Sequence, residues 1–262
     1  DFDSIIALLR QNEMYSALFH VFTHGLDDYV TPLEIVLERI FDSADDGQVT
    51  VERSMDGIPK TVFERLGYKA IIYLQQTFLG KSFPQGADME PDDKLTRVRP
   101  QILKFLYQEE YKPSGTFVKP TITGDFKIGY RRLSFPYTHI LMLVDARAVF
   151  DTLSLALDAP DEEFGGTMTN FESIGGWEVE VGAEEASDST PAQHSPVNGT
   201  GSSSKPDRQN IISMLSTIML PDDSQKDVEP YATLSQSKTA VDAFLDFMAK
   251  YLVKGIVRVN KS

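Results

Sequence analysis

Apolar residues recur along this chain in short helical runs, each fenced by a capping or breaking residue. Ile5, Ile6, Leu8 and Leu9 mark a first run from Ser4 to Arg10. Asn12 predicts the N-cap of a second helix carrying Tyr15, Leu18, Phe19 and Phe22 and ended by Gly25. Thr31-Pro32-Leu33-Glu34 supplies a cap residue, proline at the first helical position and the glutamate of a capping box, ahead of Val36, Leu37 and Ile40. Thr61-Val62-Phe63-Glu64 repeats that signal before Leu66, Ala70, Ile71, Leu74 and Phe78, and Gly80 stops the run. Ser43–Ile58 reads as a loop rather than a strand, Pro84-Gln85-Gly86 as a turn, and Lys112–Gly129 as a loop. Asp92–Tyr111 reads as a helix that Pro100 must break or kink.

The most telling stretch runs from Phe135 to Asp158. Pro136 opens one helix, and Ile140-Leu141-Met142-Leu143-Val144 is apolar all round, so it needs neighbours on more than one side. Asp145 then caps a second helix bearing Val149, Phe150, Leu153, Ala156 and Leu157. Two helices joined by almost no turn make a hairpin, and stacked hairpins make a solenoid. Beyond them, Asp161–Pro206 holds too little apolar surface to offset the entropy of ordering and is expected to be a disordered insert. Helices resume with Ile211, Ile212, Leu215, Ile218 and Met219. They end with Gln236–Lys254, whose Val241, Phe244, Leu245, Met248 and Leu252 are predicted to share one face before Gly255. The expected fold is all-α, a solenoid of stacked helical hairpins of the TPR or clathrin-repeat kind. Its parts are residues 1–160, the insert 161–206 and a continuation over 207–262.

Composition narrows the function. The chain has 262 residues, 41% of them hydrophobic, enough for a substantial core. It begins Asp-Phe-Asp, which reads as a fragment or processed product. No apolar run approaches a membrane span of roughly 20 residues. The absence of cysteine excludes disulfides, thiolate metal sites and a cysteine nucleophile, and fits a reducing, cytoplasmic setting. Of the net charge of −14, nine negative charges fall between Asp161 and Asp188, where there is no Lys or Arg. Such acidity argues against nucleic-acid binding.

Chemistry-bearing motifs are sparse. His20 and His24 are four apart on one helix, but Val21 stands where a zinc protease needs glutamate, so a partly buried or surface pair is the expected reading. Asp27-Asp28, Asp45-Asp46 and Asp92-Asp93 sit where acids cap helices or turn loops. No phosphate loop or nucleophile elbow is present, and no catalytic residue, cofactor, metal or small-molecule substrate is predicted. An α-helical enzyme built around His20, His24 and Asp27 is the competing class. The best basic–aromatic cluster is Lys119, Phe126, Lys127, Tyr130, Arg131 and Arg132, either a contact to an acidic partner or lipid headgroup or an ordinary solvated loop. Trp177, in Trp-Glu-Val-Glu-Val, is either a docking motif or a piece closing the base of the acidic insert. Lys127, Tyr130, Arg131, Arg132 and Trp177 are thus the candidate partner contacts.

Several blocks together carry a family resemblance. They are Gly25–Leu33, Gly67–Leu74 continuing through Gly80–Gly86, Phe135–Leu157 and, less closely, Asp207–Ile211. In this order they resemble the central helical region of the vacuolar protein sorting-associated protein eight family, large subunits of the CORVET endosomal tethering complex. The resemblance implies an α-solenoid piece of a scaffold that contacts other tethering subunits and associates peripherally with endosomal or vacuolar membranes in transport to the vacuole or lysosome. It also implies that binding to an endosomal Rab GTPase and to zinc belongs to parts of such proteins, a β-propeller and a RING-like domain, with no counterpart in these residues. A helical-repeat adaptor outside membrane traffic is the alternative among binding proteins.

Overall fold

In the computed structural model the described residues are 2–49, 59, 61–91, 93–115, 129–159, 207–222, 225 and 229–254. Every regular element among them is helical, apart from a single antiparallel bridge between Lys81 and Asp88. The helices are α1 (Phe2–Gln11), α2 (Tyr15–Gly25), α3 (Thr31–Asp45), α4 (Val62–Phe78), α5 (Lys94–Leu106), α6 (Pro136–Leu157), α7 (Arg208–Met219), α8 (Glu229–Ser235) and α9 (Lys238–Val253), with a 3-10 turn at Tyr130–Arg132. Packing follows chain order: α1 on α2, α2 on α3, α3 on α4, α4 on α5 and α6, then α6 on α8 and α9. That neighbour-to-neighbour stacking is the α-solenoid predicted from the hydrophobic pattern. A main core runs from Phe19 through Leu37, Tyr73, Tyr137 and Phe150 to Phe247, and Ile6, Leu9, Leu18, Phe22 and Ile35 form a smaller one at the α1 end.

The helix boundaries follow the local signals, with instructive departures. The Thr61–Glu64 capping box forms in both directions. At α3 it does not. Thr31 is already helical, Asp28 Oδ1 accepts from the Val30 and Thr31 N–H groups at 3.0 Å each, and Glu34 points inward at 2% exposure. Asn12 closes α1 rather than opening α2, donating its Nδ2 to the Leu8 carbonyl at 2.8 Å. α5 runs through Pro100 as one element. A mid-helix proline costs about 3 kcal/mol, but Val98, Ile102, Leu103 and Leu106 are buried around it, each worth about 1.5–3 kcal/mol. The seven-residue α8 follows no long periodic run, and sequence periodicity misses it.

α6 is interrupted at the one predicted residue: Asp145 adopts φ −160°, ψ 95° between two helical rods. Its Oδ1 accepts from the Ala148 N–H at 3.1 Å, capping the second rod, and its Oδ2 accepts from the Tyr68 hydroxyl at 3.2 Å, tying the break to α4. The two rods face different neighbours. The first stacks Tyr137 on Phe105, and the second sets Phe150 against Phe244 and Phe247. On α9 the inward face is Ala240, Ala243, Phe244, Phe247 and Tyr251, whereas Leu245 is 59% and Leu252 41% exposed. Both stripes have helical spacing, so the pattern alone does not choose between them.

Candidate functional surface

Of the predicted contact cluster, the described part, Tyr130–Arg132, lies beside α3. Glu34, Glu38, Asp42 and Asp45 share one face of that helix, at successive steps of four, four and three residues. The segments before and after residues 116–128 both bind this face. From one side, the Ser114 N–H and hydroxyl each donate to the Glu34 carboxylate at 2.6 Å. From the other comes Arg131. Its Nη2 donates to Glu38 Oε2 at 3.0 Å and to Asp42 Oδ1 at 2.6 Å, and its Nη1 to Asp45 Oδ2 at 2.6 Å. The guanidinium also lies 5.2 Å from the Phe41 ring centroid and 5.6 Å from that of Tyr111. A further bond, Phe135 N–H to the Glu109 carbonyl at 3.0 Å, joins the two segments directly.

Electrostatics match this geometry. Burial raises the pKa of Glu38, and Tyr111 and Arg131 offset only part of that rise. Burial likewise raises Asp45 against the opposing pull of Arg131. Desolvation works against the charge on Arg131, but Glu38 and Asp42 outweigh it and hold its pKa above the ordinary value. Burial, then the neighbouring Glu38, pushes the Tyr111 hydroxyl up.

Arg131, one of the candidate partner contacts, forms three ion pairs within the chain and keeps its side chain 24% exposed. Tyr130 is half-buried against the core, with its N–H 3.4 Å from Asp45 Oδ1, and Arg132 is exposed. Lys127 and Trp177, like the whole insert 161–206, lie outside the described residues. The acidic stripe on α3 was missed by sequence reading, although its spacing was visible once the helix was assigned.

The other chemical candidates separate from one another. The His20 and His24 rings stack at 4.1 Å on the α2 surface; His24 Nδ1 lies 3.1 Å from the Thr23 hydroxyl and His20 Nδ1 3.3 Å from Gln85 Nε2. Asp27 faces away from them into an ion pair with Lys94 at 3.0 Å and a second with Arg97, and the Lys94 bond leads in holding its carboxyl below the ordinary range. Among the described residues no three His, Cys, Asp or Glu side chains gather as metal ligands, and no helix is long and apolar enough to cross a membrane. An open cleft between α1 and α3 is lined by charges of both signs: Arg10, Glu13, Glu38, Arg39 and Asp42. Among the described residues this surface is a stack of helices whose charged side chains pair largely within the chain.

Comparison with known proteins agrees with that picture. A human protein described as vacuolar protein sorting-associated protein 8 homolog is 20% identical over 161 residues, covering 60% of this chain and 9% of that protein. Its mouse counterpart is 19% identical over 158 residues, with the same coverage. The chain thus spans only a small part of the relatives it matches. No solved structure matches. The family described as Vps8 central TPR matches residues 1–157, from α1 to the end of α6, and this chain belongs to it.

Proposed function

We propose that this chain is a non-enzymatic scaffold segment of an endosomal or vacuolar tethering-complex subunit of CORVET type, acting in vesicle-mediated protein transport to the vacuole or lysosome. The observation that carries the reading is the neighbour-to-neighbour stacking of helices over the whole Vps8-like stretch. A tether needs length and stiffness, and such stacking supplies both. In this reading the segment holds other parts of its protein apart and docks further complex subunits. Rab binding belongs to other parts of the protein, and contact with the endosomal membrane is peripheral. The 161–206 segment is read as an insert between the two parts of the solenoid, and Lys127, Tyr130, Arg131, Arg132 and Trp177 are the residues at which a partner contact is first to be sought. Pull-down of the chain against the other tethering subunits tests the proposal. Retention of at least one subunit is expected; binding to none, with vesicle docking unchanged after deletion of the segment, overturns it. An adaptor outside membrane traffic would instead co-purify with unrelated partners.

A further inference from the structure

The surroundings of Arg131 suit a guanidinium group. Three carboxylates from successive turns of α3 approach its two terminal nitrogens, and two aromatic rings from different elements, Phe41 and Tyr111, lie beside the planar cation. An ammonium would exploit this arrangement poorly. A planar fork meets several carboxylate oxygens at once and lies against aromatic faces, whereas a compact, strongly hydrated ammonium does neither well. Carboxylates also outnumber the cation three to one at this spot, and Glu38 is 8% exposed, so vacating the site would leave buried negative charge uncompensated.

The receptor itself belongs to the helical frame. Glu38, Phe41, Asp42 and Asp45 are all on α3, and Phe41 packs edge-on to both Tyr111 and Tyr137. The ligand, by contrast, arrives on a three-residue 3-10 turn, held to α3 by the side chain of Arg131 and by the Tyr130 N–H on Asp45. Frame and ligand are thus separable.

We propose that α3, with Tyr111, carries a guanidinium-selective binding site that Arg131 fills in cis as a latch, and that accepts a guanidinium from solution when Arg131 is removed. The latch fastens the segment entering α6 onto α3, on the face that Ser114 grips from the other side.

Chemical rescue of the whole chain tests this. Arg131→Ala lowers Tm, and ethylguanidinium at low millimolar concentration restores it saturably, by roughly 2–4 °C; ethylammonium at equal concentration does not. Adding Phe41→Leu or Glu38→Gln to Arg131→Ala abolishes the rescue. Equal action of the two cations, or no rescue of a folded Arg131→Ala protein, overturns the proposal. Should Arg131→Ala fail to fold, Arg131→Lys replaces it. It is expected to melt below the native chain and to be raised by ethylguanidinium, and a Tm equal to that of the native chain overturns the selectivity.

Discussion

His139 sits in the first turn of α6, fully enclosed, with the Tyr231 ring of α8 edge-on at 4.8 Å. Among the described residues neither ring nitrogen has a hydrogen-bond partner of good geometry, and burial pulls its pKa down to about 4, with only weak backbone interactions at Pro230 and Ser134 opposing the drop. In the unfolded chain the same imidazole titrates near 6.5. Between those values the unfolded chain takes up a proton that the folded chain refuses. Its contribution to stability is therefore whole above about pH 6.5, declines as pH falls, and is gone below about 4, a loss of about 3 kcal/mol. Urea melts of the native chain and of His139→Phe between pH 7 and 4 should differ by that slope. Parallel curves would mean that the imidazole is not held neutral. Nothing in the local sequence flagged this residue, because its burial comes from α8, some 90 positions away.

At the scale of elements, the closest approach is the crossing of α4 and α6. A Cβ on Gly67 would stand 2.7 Å from Val144 Cγ1 and nearer still to Cγ2, so only glycine admits the second helix there. Gly67→Ala gains about 1 kcal/mol of helix propensity but meets an overpacking cost of about 1–3 kcal/mol. A net loss of up to about 2 kcal/mol is expected in urea melts. In a Val144→Ala background the same change should become neutral or stabilising, and an equal loss in both backgrounds would contradict the close crossing. The crossing lies beside the Asp145 interruption, where Tyr68 of α4 reaches the capping carboxylate, so one contact fixes both the break and the packing. Asp145 was legible as a cap because its signal is local. The need for glycine at 67 was not, since Val144 lies far away in sequence.

At the scale of the whole molecule, the described residues that flank 116–128 and 160–206 are tied to the helical stack. Residues 116–128 are flanked by the Ser114 and Arg131 attachments to α3. Residues 160–206 are flanked by Arg208, which donates Nε to the Leu157 carbonyl at 3.0 Å and Nη2 to that of Ala159, covering the open end of α6. Asp158 adds a clasp to α9 through Lys250 at 2.8 Å, Lys254 at 2.7 Å and the Tyr251 hydroxyl at 3.1 Å. If 161–206 is an insert, as the sequence predicts, replacing it with a short Gly/Ser linker is expected to leave helicity unchanged and to hold or raise Tm, since closing a shorter chain segment costs less entropy, roughly 0.6 kcal/mol per halving. Circular dichroism melts check this; loss of cooperative unfolding would make the segment part of the core. The apolar ends of the described chain are partly covered. Leu9, Phe247 and Tyr251 are buried and Phe2 rests on Phe22, while Ile5, Leu8, Leu245 and Val253 face outward.

The sequence alone settled where most helices lie, where α6 is interrupted and that the fold stacks helices, because caps, breakers and a 3.6-residue apolar rhythm act within a few positions of themselves. Only the tertiary structure decided which of two apolar stripes on α9 turns inward, that Glu34 serves Ser114 rather than its own helix cap, and that Arg131 pairs with three carboxylates of α3. Those outcomes depend on burial and charge supplied from distant segments, which no local pattern encodes.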